Sequence, residues 1–267
     1  MIDKVQDSRQ FQGYSVLQLP PGPELSQETS AWIVQGLERA MPSLNIREYF
    51  LAKGSTLSDC DFVIVAVERD SGQIISALTS RWHQEEGQRP FLHLKILMIT
   101  PRYQKTRLIN DIWGFHLARV HLSRFGFPHV IALRTYNPVV FGAMRIFTRI
   151  DGIRLYPGID GQPQDPAMAA LAQQIADTIS PGLSFKAGTG VIRQAGVPPD
   201  FYPAMPSSRK TDVYQYFARH LAPSDRMLCV LSVDTEAAKQ KALALFGLRQ
   251  QPAGTAAAAG SSAWVEN

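Results

Sequence analysis

Apolar and polar positions divide the N-terminal part of the chain into a strand and two helices. The apolar stretch 13–20 ends in Pro-Pro-Gly, which predicts a short strand. Ser26 is a good N-cap, and the apolar residues between 31 and 41 recur at helical spacing. A shorter second helix is predicted from residue 45, ending at Gly54. The polar residues 1–12 are predicted to be a flexible tail.

The next apolar runs are rich in β-branched residues and predict three strands. Two of them flank Asp70-Ser71-Gly72 and predict an antiparallel hairpin over 61–83. The third covers 91–100, and strict alternation predicts two different faces for it. One face carries Phe91, His93, Lys95 and Leu97, and the other carries Leu92, Leu94, Ile96 and Met98.

Helical and strand patterns alternate after this strand. Helical spacing predicts a helix over 108–126, and a strand follows over 129–136. Asn137 is a good N-cap, and Pro138 suits the first position of a helix over 137–150. The order strand, helix, strand, helix indicates that the strands 91–100 and 129–136 are parallel neighbours.

The C-terminal part contains two predicted insertions and two late strands. A helix is predicted over 167–180, strands over 184–194 and 225–234, and a last helix over 236–247. A single domain is predicted over 13–250, with insertions at about 151–182 and 195–225. The second insertion is a long proline-rich segment that carries Phe201 and Tyr202, and it is either a cover over a binding site or a fixed structural wrap. Residues 252–267 are of low complexity and are predicted to be a flexible tail.

Composition and charge narrow the class of function. The 267 residues include 27 Lys and Arg against 23 Asp and Glu, a mild excess that suits an anionic small ligand or a loosely bound anionic partner and does not indicate nucleic acid. Cys60 and Cys229 have neither metal-ligand nor disulfide spacing, and each is interpreted as a buried small residue. No metal-binding constellation is found. The polar N-terminus is no signal peptide, and no apolar run is long enough to cross a membrane, so we expect a cytoplasmic protein.

The junction between the strand 91–100 and the following helix carries a recognisable pattern. Pro101-Arg102-Tyr103-Gln104 leads into it, and Thr135-Tyr136-Asn137-Pro138 opens the later helix. With the order of elements, these motifs resemble the GCN5-related N-acetyltransferase (GNAT) superfamily. The resemblance implies an α/β fold with a mixed central sheet and helices on both faces. It also implies a β-bulge at the end of the family's strand 4, here 91–100, and a V-shaped split between that strand and the family's strand 5, here 129–136.

The resemblance further implies a donor site at this junction. In the family, strand amides and a glycine-rich loop at the start of a helix hold acyl-coenzyme A (acyl-CoA). The corresponding residues are Leu97, Met98, Ile99, Gln104, Lys105, Thr106, Arg107, Leu108 and Asn137. Both glycine positions of the family loop hold other residues, Arg107 and Ile109. Either Lys105 and Arg107 hold the phosphates through their side chains, or CoA does not bind in the usual way and an acyl carrier protein presents its pantetheine.

His93 and Tyr136 are the candidate catalytic residues. A base must take the proton of the attacking amine, and a histidine titrates near neutral pH. His93 lies in the middle of the strand that would line the cleft, two residues before Lys95, which would lower its pKa if both point inward; the alternative is a solvated strand face. The family's thiol-protonating tyrosine corresponds to Met144, so Tyr136 is a nearby substitute or a packing residue. His116 is interpreted as a residue of a helix surface.

These observations predict an N-acyltransferase. It would move an acyl group from acyl-CoA (acetyl-CoA) or an acyl carrier protein to an amine of a small or medium-sized acceptor, in specialised biosynthesis. The alternative is a non-catalytic binding or regulatory protein that kept the fold and lost the reaction. The expected partners are the amine acceptor and, in one interpretation, an acyl carrier protein.

Overall fold

A computed structural model describes residues 3–52, 56–196, 198 and 200–248. Ten strands form within these ranges: β1 Asp7–Gln10, β2 Tyr14–Leu19, β3 Phe62–Glu68, β4 Ile74–His83, β5 Phe91–Ile99, β6 Val130–Thr135, β7 Ile153–Tyr156, β8 Phe185–Lys186, β9 Val191–Ile192 and β10 Arg226–Val233. The same ranges contain seven α-helices: α1 Gln27–Ala40, α2 Ile46–Ala52, α3 Leu108–His121, α4 Pro138–Met144, α5 Pro166–Ile179, α6 Thr211–His220 and α7 Glu236–Leu245.

All ten strands belong to one mixed sheet. Its order is β1-β2-β3-β4-β5-β6-β10-β9-β8, with β7 also paired to β10. The predicted hairpin is confirmed as β3 and β4, and the predicted parallel pair is confirmed as β5 and β6. Helices cover both faces of the sheet, as predicted for this fold class. Helices α1, α2 and α5 pack on one face, called the α5 face below, and α3, α4, α6 and α7 pack on the opposite face.

The pairing between β5 and β6 stops halfway along the strands. Only three residue pairs join them, and the last is Leu94 with Leu133. Beyond this pair β5 stays with β4 and β6 stays with β10. The sheet therefore splits in the V shape that the resemblance implies.

A β-bulge at Lys95 makes the predicted faces of β5 wrong. Thr79 pairs with Ile96 and Ser80 pairs with Leu94, so Lys95 is the extra residue. An extra residue reverses the alternation of side chains beyond it. Leu92 and Leu94 accordingly pack on the α3 side, whereas Ile96 and Met98 pack against α1 on the α5 face. Phe91 packs against α5, which places the alternating His93 on the α5 face as well.

Other boundaries differ from the sequence prediction. Residues 7–10 pair with β2, so the predicted flexible tail is wrong there. The polar side chains gave no indication of this edge strand, because its hydrogen bonds are made by the backbone. The predicted strand 184–194 is a small hairpin of β8 and β9, and β7 was not predicted. The helix after Asn137 ends at Met144 and continues as a 3₁₀ helix to Arg149. Gly54 and the tail 252–267 lie outside the described residues.

The loop between β2 and α1 contains a glycine that tolerates no side chain. A Cβ atom at Gly22 would overlap the carbonyl oxygen of Leu57 and crowd the amide of Cys60, and both are backbone groups that cannot rotate away. We expect Gly22→Ala to lower the free energy of unfolding by about 1–3 kcal/mol. Chemical denaturation checks this, with Gly188→Ala as the control because nothing lies within 4 Å of its added Cβ. Equal losses in the two variants would contradict the steric explanation.

Candidate active site

The split between β5 and β6 opens into a cavity of about 580 Å³. Its wall combines strand residues from both sides of the split with α2, α5 and the proline-rich segment. The residues that matter for its chemistry are Tyr49, Asp59, Arg81, His83, His93, Lys95, Leu97, Met98, Arg134, Tyr136, Tyr202 and Arg226. Phe201 and Tyr202 belong to this wall, so the proline-rich segment does lie against the cavity.

His93, the predicted base, lies in the cavity wall where the pairing of β5 with β6 is about to end. Its side chain is 5% exposed, and its backbone pairs with Ala132 of β6. The predicted neighbour Lys95 donates to the carboxylate of Asp59 instead of standing alone, and Asp59 also accepts from Arg81 at 3.0 Å. The Lys95 charge beside His93 is therefore balanced by a carboxylate.

His83 is a cavity residue that the sequence analysis did not single out. It lies at the end of β4, stacks on Phe91 with 4.9 Å between ring centroids, and has its ring centroid 5.5 Å from that of His93. Burial, followed by the positive charge of Arg81, lowers the pKa of His83 to about 4. His83 is therefore neutral at pH 7. The sequence pattern could not predict that His83 lies beside His93, because the register between β4 and β5 brings the two rings together.

Tyr136 is buried at 7% exposure and lines the cavity where β6 ends. The guanidinium carbon of Arg226 lies 5.5 Å from its ring centroid, and the ring of Tyr202 lies 6.1 Å away. Burial raises the pKa of Tyr136. Asn137 next to it caps α4, because its Oδ1 accepts from the Val139 amide at 2.9 Å. The side chain of Asn137 thus caps α4, as predicted, and Asn137 is not among the cavity-lining residues.

Arg134 and Arg226 are further cavity residues that were not predicted. Arg134 on β6 is flanked by Leu133, which packs on the α3 side, so by alternation Arg134 lies on the α5 face. Arg226 on β10 lies on the same face, since Met227 packs on the opposite one. Single arginines at strand ends carry no sequence signal. Only the pairing of β6 with β10 brings the two side chains to one cavity.

The amides of β5 beyond the bulge alternate between β4 and the split. The Thr100 amide donates to Ile75 of β4, so the amide of Met98 points toward β4 and the amide of Leu97 points into the split. The carbonyl oxygen of Ile99 accepts from Gln104 Nε2 at 3.2 Å. By the same alternation the amide of Ile99 also points into the split, but of these two residues Leu97 is the one that lines the cavity.

The loop between β5 and α3 is a tight, exposed turn. Pro101–Tyr103 form a 3₁₀ helix, and the Thr106 hydroxyl donates to the Tyr103 carbonyl at 2.8 Å. The amides of Lys105 and Arg107 have no hydrogen-bond partner among the described residues, and both side chains are exposed. These groups lie at the positive end of α3, which is suited to an anion.

Leu108 differs from the other residues of this loop. Its side chain is fully buried in the core beside Tyr14, and its amide donates to the Thr106 hydroxyl oxygen at 3.3 Å. The prediction that Leu108 contacts the donor is wrong for its side chain, because an apolar residue in the first turn of α3 is needed to seat the helix on the sheet. Neither Leu108 nor the loop before it belongs to the cavity wall, which ends at Met98 on this strand.

Three further predictions concern residues away from the cavity. His116 is fully buried rather than on a helix surface, and its Nε2 lies 2.7 Å from Ser80 Oγ. Cys60 and Cys229 are buried free thiols, as predicted, and burial raises the pKa of Cys60 to about 11.

Within the described ranges no group of three or more His, Cys, Asp or Glu residues is placed to hold a metal ion, and no helix has the length and apolar character needed to span a membrane.

Known proteins of similar structure include acetyltransferases. A GNAT-family N-acetyltransferase from Escherichia coli in complex with CoA is 16% identical over 43% of this chain and 61% of its own, with a TM-score of 0.33. An Arabidopsis thaliana protein in complex with a CoA-containing bisubstrate analogue is 9% identical over 80% and 97%, with a TM-score of 0.41. The ribosomal-protein-S5-alanine acetyltransferase of Vibrio fischeri is 10% identical over 86% and 98%, with a TM-score of 0.35.

These values describe a loose likeness of architecture and say nothing about activity. No protein-family model matches the sequence, and no curated protein is significantly similar to it.

Proposed function

We propose that the protein is an N-acyltransferase that moves an acyl group from a thioester donor to an amine. The observation that carries this proposal is the split between β5 and β6, which joins an open strand amide, that of Leu97, to a cavity lined by His93. Acyl transfer needs both parts. An N–H must hold the thioester oxygen as negative charge develops on it, and a base must accept a proton from the amine.

In this proposal the donor enters between the α3 N-terminus and the cavity. The amides of Lys105 and Arg107, together with their side chains, hold the pyrophosphate of acyl-CoA. Because this turn has no glycines, the pyrophosphate lies farther from the backbone than glycines would allow. The pantetheine follows the split along β5. The thioester carbonyl then reaches the Leu97 amide near the bulge at Lys95.

The reaction follows from this placement. The amine nitrogen attacks the thioester carbon, its proton passes to His93, and the carbon–sulfur bond breaks to release the thiolate of CoA. Tyr136 is the proposed proton donor to that thiolate, because its hydroxyl group is protonated at neutral pH and it lines the cavity where β6 ends. Specialised biosynthesis and a cytoplasmic location are part of the same proposal.

Calorimetric titration with acetyl-CoA tests the proposal directly. We expect saturable binding with a micromolar Kd, followed by release of CoA thiol when a panel of amines is added. Binding of a holo acyl carrier protein in place of acetyl-CoA would support the carrier-dependent form of the enzyme. Binding of neither donor at millimolar concentration would contradict acyl transfer and would favour the non-catalytic alternative.

A charge reversal at the α3 N-terminus tests the donor loop. Arg107→Glu places a negative charge beside the proposed pyrophosphate and should weaken the Kd for acetyl-CoA about tenfold, because a charge-assisted hydrogen bond is replaced by repulsion. The matched control is Arg124→Glu. It makes the same charge change just beyond the other end of α3, about 20 Å away for a helix of this length. An unchanged Kd in Arg107→Glu, or an equal loss in both variants, would remove the loop from the site.

A further inference from the structure

Two guanidinium groups in the cavity wall have no carboxylate partner among the described residues. Arg134 Nη1 donates to Ser180 Oγ at 2.8 Å, and Arg226 Nη1 donates to two backbone carbonyl oxygens at 2.8 and 2.7 Å. The nearest carboxylate in sequence, that of Asp225, forms its ion pair with Arg193 instead. The remaining N–H groups of both guanidinium groups are left for a ligand.

The charge balance of the cavity favours an anion. Its wall contains the cationic side chains of Arg81, Lys95, Arg134 and Arg226 and a single carboxylate, Asp59, which is already shared by Arg81 and Lys95. Burial lowers the pKa of both unpaired guanidinium groups, and the charge of Arg134 lowers the pKa of Arg226 further. Arginine nevertheless stays protonated in proteins, so two like, partly desolvated charges remain uncompensated until an anion binds.

Arg226 is held in a fixed position before any ligand binds. It is 9% exposed, and its guanidinium lies between the ring of Tyr136 and the backbone of Gly196. A Cβ atom at Gly196 would overlap the guanidinium group itself. A glycine at this position therefore leaves room for the charge, and the site is preorganised in the way that tight recognition requires.

Two tyrosines add hydroxyl groups to the same wall. Burial raises the pKa of Tyr49 to about 12, and burial also raises that of Tyr202, so both hydroxyl groups keep their protons at neutral pH. The Tyr49 hydroxyl donates its proton to the Lys95 carbonyl oxygen at 3.4 Å, which leaves the two arginines as the groups that recognise an anion. A pair of forked guanidinium groups matches the oxygen pair of a carboxylate.

We infer that the acceptor is an amine that also carries a carboxylate, such as an amino acid or the C-terminal end of a peptide, and that Arg134 and Arg226 bind this carboxylate. The inference rests on the proposed acyl transfer and names its substrate class. Arg134, Arg226 and His93 share the α5 face of the sheet, where the amine that gives its proton to His93 must lie, whereas α3, whose N-terminus is assigned to the donor, packs on the opposite face. The carboxylate is therefore assigned to the acceptor rather than to the acyl group.

Matched pairs of acceptors test this assignment. Transfer from acetyl-CoA is measured by thiol release for small, aliphatic, aromatic and acidic amino acids and for their carboxamides. We expect kcat/KM to be higher for the carboxylates, and we expect Arg134→Gln and Arg226→Gln each to reduce the ratio of acid to amide by about tenfold to a hundredfold. Comparing this ratio between the wild type and each variant cancels differences in the intrinsic reactivity of the amines. The Kd for acetyl-CoA should stay unchanged in both variants.

Two more variants separate recognition from folding. Gly196→Ala keeps every charge and displaces the Arg226 guanidinium, so it should lower the same ratio. Arg81→Gln removes a cavity cation that is already paired with Asp59, so it should leave the ratio unchanged. If Arg226→Gln does not fold, Arg134→Gln decides the question, because Arg134 is only half-buried. Equal use of acids and amides by the wild type, or a ratio that neither arginine affects, would overturn the inference.

Two further measurements show whether the anion belongs to the acceptor. If succinyl-CoA is preferred over acetyl-CoA for an amine without a carboxylate, and this preference requires the arginines, the anion belongs to the acyl group and the assignment to the acceptor is wrong. If acetyl-CoA does not bind at all, acyl transfer fails as a function, and the anion site is tested alone by ligand-observed NMR with the same free amino acids and carboxamides. Selective binding of the acids that is lost in both arginine variants would then uphold the carboxylate site.

Discussion

His93→Gln should reduce kcat for acyl transfer by roughly 10²–10⁴-fold, the usual contribution of a general base. Glutamine keeps much of the size and polarity of histidine in this buried position, but it cannot accept a proton at neutral pH. The Kd for acetyl-CoA should change little, because the donor is bound by the split and the α3 N-terminus. Measurement of kcat by thiol release and of the Kd by calorimetry separates the two effects.

His83→Gln is the matched control for this prediction. His83 lies beside His93 in the same wall, but its lowered pKa of about 4 makes it a weak base. We expect a much smaller loss of kcat in this variant. A large loss in His83→Gln with normal activity in His93→Gln would show that the base was assigned to the wrong strand. Thermal unfolding of both variants should confirm that each keeps the fold.

His116 should make the protein unstable in mild acid. Burial lowers the pKa of His116 from its ordinary value near 6.5 to about 3, and its Nδ1 has no hydrogen-bond partner among the described residues. Between these two pH values the unfolded chain binds a proton at His116 and the folded chain does not. The free energy of unfolding therefore falls as pH falls below 6.5, by about 2 kcal/mol at pH 5 from this group. The loss grows until the pH nears 3.

Chemical denaturation at pH 7 and pH 5 measures this effect. His116→Gln cannot be protonated, so we expect the difference between the two pH values to shrink by about 2 kcal/mol relative to the wild type. Ser80→Ala is the control, since it removes the hydrogen-bond partner of His116 and leaves the titrating ring in place. If His116→Gln keeps the full pH dependence of the wild type, the acid sensitivity arises elsewhere.

The elements that depend on local patterns were predicted well from the sequence. Ser26, Asn137 and a hydrophobic periodicity locate α1 and α4 because capping and amphipathic burial act within a few residues. The hairpin of β3 and β4 was predicted for the same reason. The split of the sheet was implied by the family resemblance, which itself rests on the order of elements and on the motifs beside β5 and β6.

The faces of β5 were predicted wrongly, because one bulged residue reverses them. The family resemblance implied a bulge on this strand, but its position at Lys95 exists only through the pairing of β5 with β4, and the sequence of β5 by itself alternates without interruption. For a similar reason the burial of His116 was missed. Its surroundings are supplied by Ser80 and Phe62 from distant strands.

The sequence by itself determined the order of elements, their caps, the exposed basic turn before α3 and the presence of His93 on the strand beside the split. Tertiary structure alone decided that His83, Arg134 and Arg226 reach the same cavity and that Asp59 neutralises Lys95. The physical reason is range. Helix caps and hydrophobic periodicity act over one or two helical turns. The charge environment of a buried group is instead the sum over side chains that only the assembled sheet brings together.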